Sequence, residues 1–232
     1  MKKRRTSYLK IAHRGASGYE PENTIRAFEK AIVLGADMIE LDVHLSVDGY
    51  PVVIHDARID GALVTDLTLA ELKQFDVGKG ERIPTLQEAI DCVKGRCQLY
   101  IELKGEGTEP PVVDLVRKNG MQDDVIIASF DPAKVRRSKT LAPEVTTSVL
   151  TGSRVLDFVA FAREAHADCI HFCWECHPSP HTLLTDTLMK TCAEAGLKVV
   201  VWHEERPEEI REIVKHDIYG ICSNFPDLLV MD

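Results

Sequence analysis

Two carboxylates interrupt the apolar stretch Met38-Ile39-Glu40-Leu41-Asp42-Val43. Residues two apart on a β-strand point to the same face, so Glu40 and Asp42 share one side of the predicted strand. Burying two carboxylates among apolar side chains is costly unless a cation or another partner compensates them. The stretch therefore predicts a strand that carries a charged functional site.

Charged residues also follow other apolar runs of the chain. His13-Arg14-Gly15 comes directly after the run 8–12, and His55 comes directly after Pro51-Val52-Val53-Ile54. Glu102 and Lys104 repeat the two-apart pattern within residues 99–104. The three carboxylates are hard oxygen ligands that suit Mg²⁺ or Ca²⁺, and no thiol accompanies them to favour zinc. With the histidines and cationic side chains they form a set of groups suited to phosphate ester chemistry.

A hairpin is predicted between the second strand and the segment that ends at His55. Asp48-Gly49 lies between two alternating stretches, which is typical of a two-residue hairpin loop. With that loop, residues whose numbers add up to 97 are cross-strand partners, and Asp42 faces His55. A longer loop would shift the register. In either case, the hairpin brings His55 back towards Glu40 and Asp42.

Strand-like and helix-like segments alternate to the end of the chain, which predicts a parallel sheet. Eight such units in roughly 250 residues are typical of a closed TIM (β/α)8 barrel. An open doubly wound sheet is the competing fold, but no Gly-x-Gly-x-x-Gly follows the first strand. Strands are predicted at 8–12, 38–43, 99–104, 125–130, 146–150, 169–172, 198–202 and 220–222. Helices are predicted at 24–34, 153–165, 184–195 and 206–215. Three more are predicted from their start signals, which are the capping boxes at Thr68 and Thr85 and the cap and proline of Asp131-Pro132.

We interpret residues 1–232 as a single barrel domain with an insertion at about 56–84, which holds a loop and one short helix. The net charge of -9 argues against a general nucleic-acid-binding protein. No segment has the length and apolarity for stable membrane insertion, and no apolar region follows the basic residues at 2–5 as in a signal peptide. Seven scattered cysteines suit a reducing cytoplasm. The oligomeric state is left open.

An ordered series of motifs resembles the glycerophosphodiester phosphodiesterase family over nearly the whole chain. A single His-Arg-Gly would be weak evidence, whereas the ordered combination is specific. The motifs are His13-Arg14-Gly15, Pro21-Glu22-Asn23-Thr24, Glu40-Leu41-Asp42-Val43, Asp48-Gly49, Val53-Ile54-His55-Asp56, Asp66-Leu67-Thr68, Ile83-Pro84-Thr85-Leu86, Ile101-Glu102-Leu103-Lys104, Ser129-Phe130, Ala195-Gly196-Leu197 and Val201-Trp202.

The resemblance implies a TIM barrel that hydrolyses glycerophosphodiesters to glycerol 3-phosphate and an alcohol such as choline or ethanolamine. Its implied metal ligands, for one divalent cation, are Glu40, Asp42 and Glu102. Its implied acid/base pair is His13 and His55. Its implied substrate-binding residues are Arg14 and Lys104 on the phosphate, Glu22 near the metal or the glycerol, and Phe130 and Trp202 lining the site.

The chain departs from the family pattern in three places. They are Ala57 to Ala62 after the hairpin, His203-Glu204-Glu205 where Thr-Val-Asn is common, and Ser223-Asn224 where Thr-Asp is common. The first of these leaves the headgroup of the substrate open. The alternatives are a lysophospholipid substrate at a membrane surface, and a barrel without catalysis that binds phosphate or metal.

Several motif residues also have plain structural interpretations. Glu102 could be only the ion-pair partner of Lys104, and Phe130 and Trp202 could be ordinary core residues. We interpret the cluster from Cys173 to His177 as a loop at the rim, with an accessory metal or a haem attachment site as the alternatives. His203, His166 and His216 are expected to be surface residues, and the acidic residues at 204–209 to be the solvated start of a helix.

Overall fold

The computed structural model describes residues 8–152, 157–174 and 176–229, and within them eight parallel strands close into a barrel. The first of these strands pairs with both the second and the last, at Ile11 opposite Met38 and at Leu9 opposite Gly220. The predicted TIM barrel is confirmed, and each predicted strand agrees within two residues at either end. The barrel strands are β1 Leu9–Ala12, β2 Met38–Leu45, β6 Gln98–Leu103, β7 Val125–Ser129, β8 Thr146–Thr151, β9 Cys169–Cys173, β10 Lys198–Trp202 and β11 Gly220–Ser223.

Helices connect the barrel strands on the outside. They are α1 Ile25–Val33, α2 Leu69–Leu72, α3 Leu86–Val93, α4 Glu109–Lys118, α5 Pro132–Leu141, α6 Phe158–Glu164, α7 Asp186–Glu194 and α8 Pro207–Ile213. Across the described residues, no helix combines the length and the apolarity that a bilayer crossing requires.

The predicted capping signals define several helix starts. Thr68 and Thr85 both form complete capping boxes, and the Asp131 side chain accepts a hydrogen bond from Ala133 N–H. Helix α4 was not among the predicted helices, because two prolines in its first turn conceal the helical pattern. Helix α6 begins at Phe158 behind Asp157, whereas the predicted start at Ser153 lies outside the described residues.

Alternate side chains along each barrel strand lie in two environments, the barrel interior and the layer between the strands and the helices. One side chain or two from each of the eight barrel strands meet in an interior apolar layer: Ile11, Met38, Tyr100, Ile126, Ala128, Leu150, Cys173, Val200 and Cys222. The alternate side chains pack outwards against the helices in two larger clusters. Because side chains two apart share a face, the interior face continues above this layer, at the carboxyl ends of the strands.

The predicted hairpin register is wrong by one residue. Strand β3, Pro51–Val53, pairs antiparallel with β2 at Val43 opposite Val53, and Ile54 N–H donates to the carbonyl of Asp42. The loop has three residues, since Ser46 N–H donates to Tyr50 O and Gly49 adopts φ +85°. A one-residue shift moves side chains to the opposite face, so Asp42 does not face His55.

The segment 56–84 contains more structure than the predicted loop and short helix. A two-stranded ribbon, β4 Arg58–Ile59 and β5 Ala62–Leu63, precedes a 3-10 turn and α2. Its buried side chains, Val64, Leu72 and Ile83, pack with Val52 of β3. The segment therefore rests on the hairpin that carries His55.

Candidate active site

The interior face of the barrel carries charged side chains directly above its apolar layer. Glu40 and Asp42 follow Met38 on β2, and Glu102 follows Tyr100 on β6. Strands β2 and β6 are hydrogen-bonded neighbours, with Asp42 opposite Glu102. The two-residue period and this parallel register together bring the three carboxylates to one place.

Glu40, Asp42 and Glu102 are buried, and one oxygen of each lies within 4.8 Å of the others. In the described part of the chain they are the single group of three acidic, histidine or cysteine side chains with this geometry. Lys104 Nζ lies 2.7 Å from Glu102 Oε1 and 3.5 Å from Asp42 Oδ1. Arg14 Nε lies 3.4 Å from Asp42 Oδ2, and Arg14 N–H donates to Glu40 Oε2 at 2.8 Å.

The electrostatics of this cluster fit a divalent cation. Burial, followed by the neighbouring carboxylates, raises the pKa of Glu40 well above 4.5. Burial and then Asp42 raise the pKa of Glu102 to about 7. Asp42 Oδ1 is buried and has no hydrogen-bond partner among the described residues. The positive charges of Arg14 and Lys104 do not fully offset the negative charges of the three carboxylates. Because the pKa values of Glu40 and Glu102 are raised, these groups tend to stay protonated, and a hard divalent cation would replace those protons.

Asn23 lies in the site although no role was predicted for it; it precedes the helix predicted at 24–34. Its φ is +57°, and the cap of α1 is Thr24. The Asn23 amide instead exchanges two hydrogen bonds with Asp42. Its place within the motif Pro21-Glu22-Asn23-Thr24 was the available signal.

His13 is 6% exposed and lies beside the acidic cluster. Its Nδ1 is 2.7 Å from Asn224 Oδ1, which can only accept, so we assign the ring proton to Nδ1. Nε2 then carries the lone pair and lies 4.0 Å from Glu40 Oε2. Burial, and next the positive charge of Arg14, lower the pKa of His13 well below 6.5. This neutral imidazole has the form of a proton acceptor at neutral pH.

His55 lies farther out, with a side chain that is 31% exposed and Nδ1 at 2.7 Å from Asp56 Oδ1. It lines a cavity of about 230 Å³ together with Glu22, Asn23 and Arg58. Glu22 accepts from Arg14 at 2.9 Å through both carboxylate oxygens. Glu22 is thus connected to the acidic cluster through Arg14, and His55 shares the cavity with Asn23, which is bonded to Asp42.

Phe130 and Trp202 both contact site residues. Trp202 lies between Phe130, at a ring-centroid distance of 5.8 Å, and His13, at 5.1 Å. Lys104 Nζ lies 5.6 Å from the centre of the Phe130 ring, and Phe130 is 39% exposed. This arrangement favours an aromatic wall of the site over a purely structural role.

Among the polar residues after Trp202, the expectation for His203 is wrong, and that for the acidic segment 204–209 holds only in part. His203 is not a free surface residue, because its ring stacks on His13 and its Nε2 lies 3.6 Å from Glu205 Oε1. The acidic segment does begin a helix, α8, and Glu208 in its first turn is exposed, but Glu204 and Glu209 are buried and pair with Arg206 and His181. Long-range pairing, which no local pattern reveals, offsets the cost of burying these charges.

A buried polar network also lies within the apolar layer. The Tyr100 hydroxyl lies 2.7 Å from Ser148 Oγ and 2.8 Å from His171 Nδ1. Burial lowers the pKa of His171 to about 3. His171 is therefore a neutral core residue beneath the site.

A closed barrel with a buried acidic cluster and a histidine at its strand ends defines a TIM-barrel enzyme. The Glycerophosphoryl diester phosphodiesterase family matches residues 13–228. A glycerophosphodiester phosphodiesterase of Caldanaerobacter subterraneus subsp. tengcongensis is 34% identical over 242 residues, 96% of this chain and 96% of that protein. The chain belongs to the glycerophosphoryl diester phosphodiesterase family and is a phosphoric diester hydrolase.

Solved structures agree in fold. A glycerophosphodiester phosphodiesterase from Agrobacterium tumefaciens has a TM-score of 0.83 at 30% identity, covering 94% of this chain and 97% of that one. A phosphodiesterase from Oleispira antarctica, in complex with the product sn-glycerol-3-phosphate, has a TM-score of 0.85 at 27% identity, covering 94% of each chain.

Proposed function

We propose that the enzyme hydrolyses glycerophosphodiesters to glycerol 3-phosphate and an alcohol, with one divalent cation and the histidine pair His13 and His55. The observation that carries this proposal is the buried group of Glu40, Asp42 and Glu102 beside the His13 imidazole. The product complex of the Oleispira antarctica relative supports the same product class here. The scattered cysteines support a cytoplasmic location.

Glu40, Asp42 and Glu102 would hold the cation, Mg²⁺ or Ca²⁺, since all three offer hard oxygen donors. When bound, the cation supplies charge that stabilises the negative phosphoryl oxygens. Arg14 and Lys104 contact the same carboxylates, so their cationic groups would face the phosphate from the edge of the cluster. The phosphate of the bound substrate would thus replace part of the ion pairing between these two cationic side chains and the carboxylates.

Proton transfer needs one base and one acid. Nε2 of His13 carries the lone pair and is directed at the cluster, so His13 would accept the proton of the attacking oxygen. His55 borders the 230 Å³ cavity, where the leaving alcohol has room, so His55 would protonate the leaving oxygen. Asp56 holds the His55 ring through Nδ1, which directs its Nε2 away from that carboxylate.

The test is release of glycerol 3-phosphate from glycerophosphocholine and glycerophosphoethanolamine with Mg²⁺, Ca²⁺ or chelator. Glu102→Gln is expected to weaken cation binding in calorimetry and to abolish release. Because an acid or a base contributes about 100-fold or more, His13→Gln and His55→Gln are expected to lower kcat by that factor. Exposed residues provide matched controls, Glu106→Gln and His166→Gln, which should leave the rates unchanged.

Chelator-resistant release would overturn the role of the cation, and full activity of His13→Gln would overturn the role of the pair. Folded protein with no release from either substrate would overturn the proposed substrate class. Lysophosphatidylcholine vesicles, assayed in parallel, would then show whether the alternative lipid substrate applies.

A further inference from the structure

Three aromatic rings form a triangle around the proposed base. The His13 ring lies 5.1 Å from the ring of His203 and 5.1 Å from that of Trp202, while the last two are 6.0 Å apart. The His203 ring is nearly parallel to His13, with an interplanar angle of 16°, whereas Trp202 is tilted by 57°. His203 therefore covers a face of the His13 imidazole.

The contacts of His203 form a closed cycle with His13. His203 Nε2 lies 3.6 Å from Glu205 Oε1, and the same oxygen accepts the backbone N–H of Asn224 at 3.2 Å. Asn224 in turn holds His13 Nδ1 at 2.7 Å. The four residues come from three segments that are far apart along the chain, and each contacts two others of the cycle.

Two of the three departures from the family pattern meet in this cycle. Residues 203–205 and 223–224 are about 20 positions apart, yet His203, Glu205 and Asn224 all lie around His13. A ring at position 203 can stack on an imidazole, whereas a threonine side chain has no face to present. Residues from both segments therefore meet on one contact surface around His13.

We propose that His203, supported by Glu205, is a positioning residue that keeps the His13 ring in its productive orientation. The inference rests on the proposed role of His13. The hydrogen bond at Nδ1 holds one edge of the imidazole and Trp202 meets the ring at an angle, while the parallel His203 ring opposes tilting of the imidazole plane. Nε2 then stays directed at the acidic cluster.

Two substitutions at the same position test the stacking. His203→Thr removes the ring, and His203→Phe keeps a ring but no titratable group. Because small misplacements of a reacting group cost up to 100-fold, we expect kcat to fall about 10-fold in His203→Thr. KM and calorimetric cation affinity should stay within about twofold, and His203→Phe should recover most of kcat. Glu205→Gln should give a smaller loss.

A second measurement shows, without turnover, whether His13 keeps the Nδ1 hydrogen bond to Asn224 that its productive orientation requires. Long-range ¹H–¹⁵N correlation spectra report which ring nitrogen of His13 carries the proton. We expect a proton on Nδ1 in the wild type and in His203→Phe, and a mixture of the two tautomers in His203→Thr. This result supports positioning even if glycerophosphodiesters prove not to be the substrate.

Unchanged kcat and an unchanged tautomer in His203→Thr would overturn the inference. Equal losses in the Thr and Phe variants would also overturn it, since the ring would then not be the cause. If His203→Thr does not fold, the positioning role is tested with the His13 tautomer spectra of His203→Phe and Glu205→Gln. A mixed tautomer in His203→Phe overturns the inference, and Nδ1 protonation there together with a mixture in Glu205→Gln supports it.

Discussion

Asn23, in the loop after β1, exchanges two hydrogen bonds with Asp42 of the neighbouring strand β2. Asn23 Nδ2 donates to Asp42 Oδ2 at 2.9 Å, and Asp42 N–H donates to Asn23 Oδ1 at 3.2 Å. The pair fixes the loop after β1 to strand β2. It also leaves Asp42 Oδ1 free of hydrogen bonds, directed at Lys104 and the other carboxylates.

Asn23→Gly should therefore damage the site more than the fold. Glycine accepts the φ of +57° without strain but removes both hydrogen bonds to Asp42. Loss of a partner that orients a ligand typically costs about 10- to 100-fold, which is the expected decrease in cation affinity and in kcat/KM. His166→Gly, at φ +53° on the surface, is the matched control and should show no decrease. Wild-type affinity in Asn23→Gly would contradict the orienting role.

Alanine substitutions at Gly15 and Gly49 distinguish the cost of steric crowding from the cost of backbone strain. Both have positive φ, +81° and +85°, but a Cβ on Gly15 would lie 2.8 Å from the Ala27 backbone, and one on Gly49 would meet nothing within 4 Å. Gly49→Ala should cost about 1–2 kcal/mol in urea unfolding, the strain of a left-handed alanine. Gly15→Ala should cost more and also displace Arg14 N–H from Glu40, so its activity should fall further than its stability explains. Equal effects of the two substitutions would contradict this argument.

His171 should make the fold sensitive to acid. Its pKa falls from 6.5 to about 3 on folding, so its contribution to stability is complete above pH 6.5 and is lost as the pH falls towards 3. The full contribution is on the order of 5 kcal/mol. His171→Gln should flatten the dependence of the unfolding free energy on pH between 6.5 and 4.

The control for this measurement is His166→Gln, which changes an exposed side chain and should keep the wild-type slope. The measurement is urea unfolding at several pH values, with the slopes of the three proteins compared. A wild-type slope in His171→Gln would show that other groups dominate acid unfolding.

One thiol should react much faster than the rest. Cys176 is exposed, whereas burial raises the pKa of Cys97 to about 12, that of Cys169 to about 12 and that of Cys92 to about 11. Because the thiolate is the nucleophile, native protein at pH 8 should show one fast reaction with a disulfide reagent. Cys176→Ser should lack the fast phase, and a fast phase that persists there would contradict the assignment.

Much of the site could be predicted from local patterns. The two-apart carboxylates of β2, the strand ends and the capping boxes of Thr68 and Thr85 depend on short-range backbone geometry, and all are confirmed. The hairpin register could not be predicted in the same way. It depends on whether Ser46 pairs with Tyr50 and closes a three-residue loop, and Asp48-Gly49 is compatible with either loop.

The sequence by itself determined which residues share the interior face of each strand, because a pleated strand alternates its side chains whatever surrounds it. Glu40 and Asp42 were predictable as a pair for this reason, whereas Glu102 joins them only through the parallel register of β6 against β2. Only the tertiary structure decided the partners of His13. Asn224 is 211 positions away, and its contact exists because closure of the barrel places β11 beside β1. Non-local pairing follows from that closure, which no local pattern encodes.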